Sequence, residues 1–151
     1  MVYVQLNEQV CISCGLCRVH CAVQHSRSRD LLKAFKSETP RPSARLRLDA
    51  SGPVSLAIPC RHCIEPWCVY SCLTGALSRD VATGNVSHDP KKCIGCWTCV
   101  LSCPYGAIFP DPATGKVMKC DLCPGRETPA CVENCPNEAL SYHILEAGNG
   151  L

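Results

Sequence analysis

Hydrophobic positions in this chain come in short bursts separated by polar, Gly-rich and Cys-rich stretches. Val2 to Leu6, Val54 to Ile58, Val86 to His88, Ala107 to Phe109, Lys116 to Lys119 and Leu140 to Ile144 are rich in β-branched or bulky apolar residues, and predict short strands. Between residues 22 and 59 the pattern changes. Leu31, Leu32 and Phe35 stand at helical spacing, with Ser28 to cap and Pro40 to stop, and predict a short amphipathic helix followed by an extended arm. Asp80-Val-Ala-Thr-Gly84-Asn85 and Asp111-Pro-Ala-Thr-Gly115-Lys116 read as matching hairpin turns in which Gly supplies the positive φ. The chain also repeats itself, as Cys72-x3-Ala76-Leu77, Cys103-x3-Ala107-Ile108 and Cys135-x3-Ala139-Leu140. This predicts one short helical turn leading into a strand, so each unit reads strand, cysteine loop, short helix, strand.

A length of 151 residues fits one compact domain, or two very small ones sharing a core. Sixteen cysteines beside only two Phe, two Trp and four Tyr leave little bulk for an apolar core, so cross-links of some kind must carry stability. No apolar run approaches membrane-spanning length. The opening Met1 to Val10 has neither a basic n-region nor an apolar h-region, which predicts a cytoplasmic protein whose thiolates serve metals rather than disulfides.

The cysteines form four groups with none left over: Cys11-x2-Cys14-x2-Cys17-x3-Cys21, Cys60-x2-Cys63-x4-Cys68-x3-Cys72, Cys93-x2-Cys96-x2-Cys99-x3-Cys103-Pro104 and Cys120-x2-Cys123-x7-Cys131-x3-Cys135-Pro136. The third is the bacterial ferredoxin run, in which three thiolates hold one iron-sulfur cube and the fourth reaches another. A Cys-x2-Cys-x2-Cys loop can wrap three corners of a cube, and small residues such as Ser13, Gly15 and Gly95 let the backbone turn closely around it. The fourth cysteine is expected where a helix begins, with Pro104 or Pro136 at a position that tolerates a missing N–H, and its thiolate facing away from the first cube. Structural zinc needs only paired Cys-x2-Cys motifs, and the fourth group alone would suit it. The repeat argues for iron.

Over nearly its whole length this spacing resembles the four-cluster iron-sulfur electron-transfer subunits of the dimethyl sulfoxide reductase and formate dehydrogenase type. The resemblance implies an α+β fold of two interlocked bacterial ferredoxin-like units, each with two [4Fe-4S] clusters, loop-rich and carrying an inserted basic helix or arm. Residues 1–21 plus 107–151 would form an outer unit, 60–106 an inner unit, and 22–59 an insertion for docking. It also implies four ligand sets: Cys11, Cys14, Cys17 with Cys135; Cys120, Cys123, Cys131 with Cys21; Cys60, Cys63, Cys68 with Cys103; and Cys93, Cys96, Cys99 with Cys72. The chain is shorter than typical membrane-linked members and shows no carboxy-terminal anchor. It therefore looks more like the small polyferredoxin subunits that serve tungsten aldehyde oxidoreductases and carbon monoxide dehydrogenases. The partners implied are a large catalytic subunit and a second redox partner, which could be a flavin subunit, a ferredoxin or another copy of this chain. Head-to-tail copies would make a filament.

Arg18, Arg27, Arg29, Lys33, Lys36, Arg41, Arg45 and Arg47 make the segment before the second cysteine group basic, either as a docking surface or as a solvated loop that balances cluster charge. The formal charge of +2 becomes roughly −6 once four cubes of about −2 are added, which disfavours nucleic acid. His20, His25, His62, His88 and His143 are not needed as ligands, since sixteen thiols already fill sixteen positions. Trp67, Trp97 and Tyr105 lie in or beside cysteine groups, where they either shield cubes or simply pack. No nucleophile-base set, phosphate loop or dinucleotide fingerprint is present, so the expectation is an electron-transfer subunit without a catalytic site. A freely diffusing polyferredoxin and a zinc-scaffolded interaction module are the alternatives.

Overall fold

The computed structural model describes residues 2–51 and 54–144. Eight short strands among them pair into four two-stranded antiparallel sheets. Strand β1 (Val2–Leu6) pairs with β8 (Leu140–Ile144), Val2 opposite Ile144 and Leu6 opposite Leu140, so the two ends of the described chain lie side by side. The other sheets are local hairpins: β2 (Arg47–Ser51) with β3 (Val54–Ile58), β4 (Leu77–Arg79) with β5 (Val86–His88), and β6 (Ile108–Asp111) with β7 (Lys116–Lys119).

Both predicted turns form alike. Asp80 and Asp111 accept from the backbone N–H two residues on, and Gly84 and Gly115 donate back to the Asp80 and Asp111 carbonyls at φ +75° and +67°. Strand β6 begins one residue later than the sequence suggested and runs on to Asp111. Strand β2 has no clear pattern of its own and owes its existence to pairing with β3.

The helices are short: α1 (Leu16–Gln24), α2 (Leu31–Lys36), α3 (Trp67–Tyr70), α4 (Thr98–Ser102) and α5 (Ala130–Glu133). Their placement corrects one expectation. In the third and fourth groups the helix starts around the third cysteine and ends at or before the fourth, so Cys103 is the C-terminal cap of α4 and Cys135 follows α5. Pro104 and Pro136 then stand beyond a helix, where they stop its continuation. The Cys-x3-Ala repeat is a single turn, closed by Gly75, Gly106 and Glu138 N–H groups donating to the Cys72, Cys103 and Cys135 carbonyls.

Helix α2 also differs in detail. Its cap is Asp30, whose carboxylate accepts from Lys33 N, while Ser28 instead donates its N–H to Glu38. Such a cap is worth about 1 kcal/mol. Ala34 is the helix's buried residue, and Leu32 is 73% exposed, so much of the apolar face lies outside.

Two clusters of buried residues hold the chain together. The larger joins Val4, Leu140, Leu46 and Ala57 to Cys17, Cys21, Cys60, Cys120 and Cys131; the smaller joins Leu77, Ile108 and Val117 to Cys99. Cysteine and alanine dominate the buried apolar residues, and no Phe, Tyr or Trp is buried among the described residues. A core of that kind offers little apolar area, and what fills its centre is sulfur. Among the described residues no helix is long and apolar enough to cross a membrane.

Candidate metal centre

The cysteine loops curl because left-handed residues recur in them. Ser13 (φ 55°) and Gly15 (79°) turn the first loop, His62 (46°) the second, Gly95 (70°) and Trp97 (57°) the third, and Leu122 (62°) and Cys123 (54°) the fourth. Each non-Gly residue held there costs about 1–3 kcal/mol, and such strain gathers where a ligand fixes the backbone. Gly95 has a second reason to be glycine: a Cβ would lie 2.2 Å from the Gly115 carbonyl oxygen, in the turn between β6 and β7.

The loops bring thiols of different groups together. Burial pushes the Cys17 pKa up to about 11, and although a backbone hydrogen bond from Arg18 opposes this, the neighbouring Cys14, Cys11 and Cys135 add to it. Cys68 is driven up to about 12 by burial, then by Cys60, Cys103 and Cys63, with Lys119 acting the other way. Cys99 rises to about 11 through burial, then Cys72, Cys93 and Cys96. Cys131 is raised by burial, then by Cys120, Cys21, Cys123 and Cys17.

Thiols from different groups are thus brought near one another: Cys135 to the first group, Cys21 and Cys17 to the fourth, Cys103 to the second and Cys72 to the third. Cavities lined by Cys11, Cys14, Cys17 and Cys135, and by Cys72, Cys93, Cys96 and Cys99, show two of the sets around a common space. The buried or half-buried Cys17, Cys68, Cys99 and Cys131 resist ionisation in such company, and metal cations that replace their protons remove that resistance. Thiolate-only donor sets of this kind suit zinc or iron-sulfur.

Backbone N–H groups aim at the sulfurs, and here the Cys-x3-Ala repeat finds its reason. Ala107 N donates to Cys103 Sγ at 3.4 Å and Ala139 N to Cys135 Sγ at 3.2 Å. For Cys72, burial opposes ionisation, but hydrogen bonds from the backbone of Leu77, Thr74 and Ala76 outweigh it and lower the pKa. All three alanines are buried, which explains their size. Cys21 lies inside helix α1 and has no such turn; Arg45 N reaches it from the inserted segment at 3.2 Å.

Several polar residues around the thiols carry no sequence signature. His25 hydrogen-bonds Asp121 at 3.0 Å through Nε2 and the Cys21 carbonyl at 2.8 Å through Nδ1, and Arg45 pairs with the same carboxylate. Burial works against a charged His25, yet Asp121 and Cys21 outweigh it and raise its pKa to about 9, while Asp121, despite its burial, is held down near 2 by His25 and Arg45. With both ring nitrogens engaged, His25 has none left for a metal. His62 is fully buried, its Nδ1 accepting from Val86 N at 3.0 Å. His143 stacks on Tyr3, His88 is partly buried on β5, and His20 lies half-buried on α1.

Of the aromatic residues, Trp97 lines a thiol cavity, whereas Trp67 packs edge-on against Tyr70 at the surface and Tyr105 lies under Arg61. Lys119 was the least visible from sequence. It occupies the inward parity of β7 beside Cys120, and that parity is the one signal that could have found it.

Comparison with known proteins gives a consistent picture. The sequence pattern of the 4Fe-4S dicluster domain matches residues 54–144. Electron transport protein HydN of Escherichia coli (strain K12) is 36% identical over 146 residues, covering 86% of this chain and 81% of its own length. The NADH-dependent phenylglyoxylate dehydrogenase subunit beta of Aromatoleum evansii is 38% identical over 137 residues, 91% of this chain but 29% of that protein. Among solved structures, the active site complex BamBC of benzoyl coenzyme A reductase with 1,5-dienoyl-CoA contains a chain that superposes with a TM-score of 0.55 at 20% identity, covering 99% of this chain and 79% of that one; this is a likeness of fold.

Proposed function

Since the chain belongs to the 4Fe-4S dicluster family and is an iron-sulfur electron-transfer subunit of oxidoreductase complexes, we propose that it holds four [4Fe-4S] cubes in a row and relays single electrons between a catalytic subunit and a second redox partner. The ligand sets are Cys11, Cys14, Cys17 and Cys135; Cys120, Cys123, Cys131 and Cys21; Cys60, Cys63, Cys68 and Cys103; and Cys93, Cys96, Cys99 and Cys72. Bound there, the cubes supply one-electron chemistry.

One observation supports the reading: the proposed sets lie within electrostatic or packing reach of one another in series. Cys131 senses Cys17 of the first set, and Cys120 senses Cys60 of the third. The third and fourth sets share helices α3 and α4, which pack on each other, as α1 packs on α5. The middle sets are buried deepest, whereas Cys14 and Cys96, in the two end sets, are exposed. Such a series keeps water from the centre and leaves both ends within reach of partners. Residues 1–21 with 107–151 form the outer ferredoxin-like unit and 60–106 the inner one. The inserted segment 22–59 presents α2 outward, with Leu31, Leu32, Lys33 and Lys36 exposed for docking. The resemblance to the small subunits that serve tungsten aldehyde oxidoreductases and carbon monoxide dehydrogenases points to a catalytic partner of the tungsten or molybdenum aldehyde or formate type, or a carbon monoxide dehydrogenase.

The test is iron quantitation with low-temperature paramagnetic resonance on the anaerobically purified complex. About sixteen iron atoms per chain are expected, four per cube. Cys21→Ser should alter the cube otherwise held by the fourth group, and Cys135→Ser the one held by the first. An iron-poor, zinc-rich preparation, or a Cys21→Ser effect confined to the first-group cube, defeats the reading. Tungsten, molybdenum or nickel in the complex identifies the partner's class.

A further inference from the structure

Lys119 is 3% exposed, and among the described residues no carboxylate forms an ion pair with it. Its Nζ donates to the Cys120 carbonyl at 2.6 Å and to the Val86 carbonyl. Val86 is itself buried on β5 and donates its N–H to His62, which lies between Cys60 and Cys63. A single ammonium therefore ties β7 of the outer unit to β5 and, through Val86, to the second cysteine loop of the inner unit.

Two carbonyls do not balance a buried cation, which is tolerated only where opposite charge is close. The nearby carboxylate, Asp121, is already engaged by Arg45 and His25. The groups that surround Lys119 belong to the loops of two different thiol sets: its Nζ is bonded to the Cys120 carbonyl, and through Val86 it reaches His62, between Cys60 and Cys63. A four-thiolate, four-iron cube is a net anion, and the loops that would hold two of them flank this position.

Resting on the four-cube reading above, we propose that Lys119 is the counter-charge shared by the two middle cubes, a positioning residue that raises both their potentials while joining the two ferredoxin-like units. A fixed positive charge stabilises the electron added to a cube, so its loss makes that cube harder to reduce. The end cubes, each separated from Lys119 by a middle set, feel it far less.

The test uses the full chain, anaerobically loaded, with redox titration followed by paramagnetic resonance. Wild type is measured first, and failure to find four cubes there refutes the functional reading rather than this one. With four cubes present, Lys119→Met and Lys119→Gln should shift two potentials downward and leave two in place, the shifted pair being those altered by Cys21→Ser and Cys103→Ser. Lys119→Arg should restore them. Unchanged potentials, an equal shift in all four, or a shift at an end cube overturns the proposal. If neither neutral variant retains iron, the charged variant decides: full iron in Lys119→Arg supports the shared counter-charge, and its loss there too makes Lys119 a packing residue only.

Discussion

Replacing Gly95 by alanine separates two costs that are usually confounded. Gly95 and Gly115 meet across the gap between the third cysteine loop and the β6–β7 turn, both at positive φ. A Cβ on Gly115 would touch nothing within 4 Å, so Gly115→Ala carries only the left-handed backbone penalty of about 1–2 kcal/mol. A Cβ on Gly95 would sit 2.2 Å from the Gly115 carbonyl oxygen, a backbone atom that cannot swing aside, and overpacking of this sort adds about 1–3 kcal/mol. At about 2–4 °C per kcal/mol for a chain of this size, Gly95→Ala should fall below Gly115→Ala by roughly 2–12 °C. The measure is the temperature at which visible cluster absorbance disappears under anaerobic heating at one fixed scan rate, because loss of iron makes the transition kinetic. Equal losses for the two variants would show that the loop and the turn can part freely, and would refute the close approach as the reason for glycine.

The remaining expectations concern pH and iron. His25 has its pKa raised from 6.5 to about 9, so its contribution is complete below pH 6.5 and disappears as pH rises through 9; Asp121, lowered from 3.8 to about 2, contributes above pH 3.8 and loses its contribution as pH falls through 2. The stability gap between wild type and His25→Asn, with Arg45, Asp121 and Cys21 facing the ring, should therefore be constant at pH 5–6 and close between pH 6.5 and 10 when thermal loss is followed across that range. Stripping iron with a chelator under anaerobic conditions should abolish cooperative unfolding in far-ultraviolet circular dichroism, since thiols and alanines fill so much of the core. An apoprotein that kept a sharp transition would show that apolar packing suffices.

The thiols were legible because covalent spacing alone brings three of them into one loop, and the strand segments because β-branched residues declare themselves locally. The residues around the thiols were not, because tertiary pairing defines them. Asp121 receives Arg45 from 76 residues away and His25 from 96, and Lys119 finds the Val86 carbonyl 33 residues off. A lysine in a strand reads as solvated until its parity places it inward. The alanine of the repeat looked like a helix former, whereas its N–H is what the adjacent sulfur uses.

The pairing of β1 with β8 has a consequence for biosynthesis. Cys11, Cys14 and Cys17 are made well before Cys135, which completes their set in the proposed ligation. Until Cys135 and β8 are made, these three thiols face a space that nothing earlier in the described chain closes. The thiols between Cys60 and Cys103 are made together and can meet much earlier. With the proposed ligation, the inner sets can fill before the outer ones, and a nascent chain that acquires iron at the Cys11–Cys17 loop has to hold it on three ligands until Cys135 arrives.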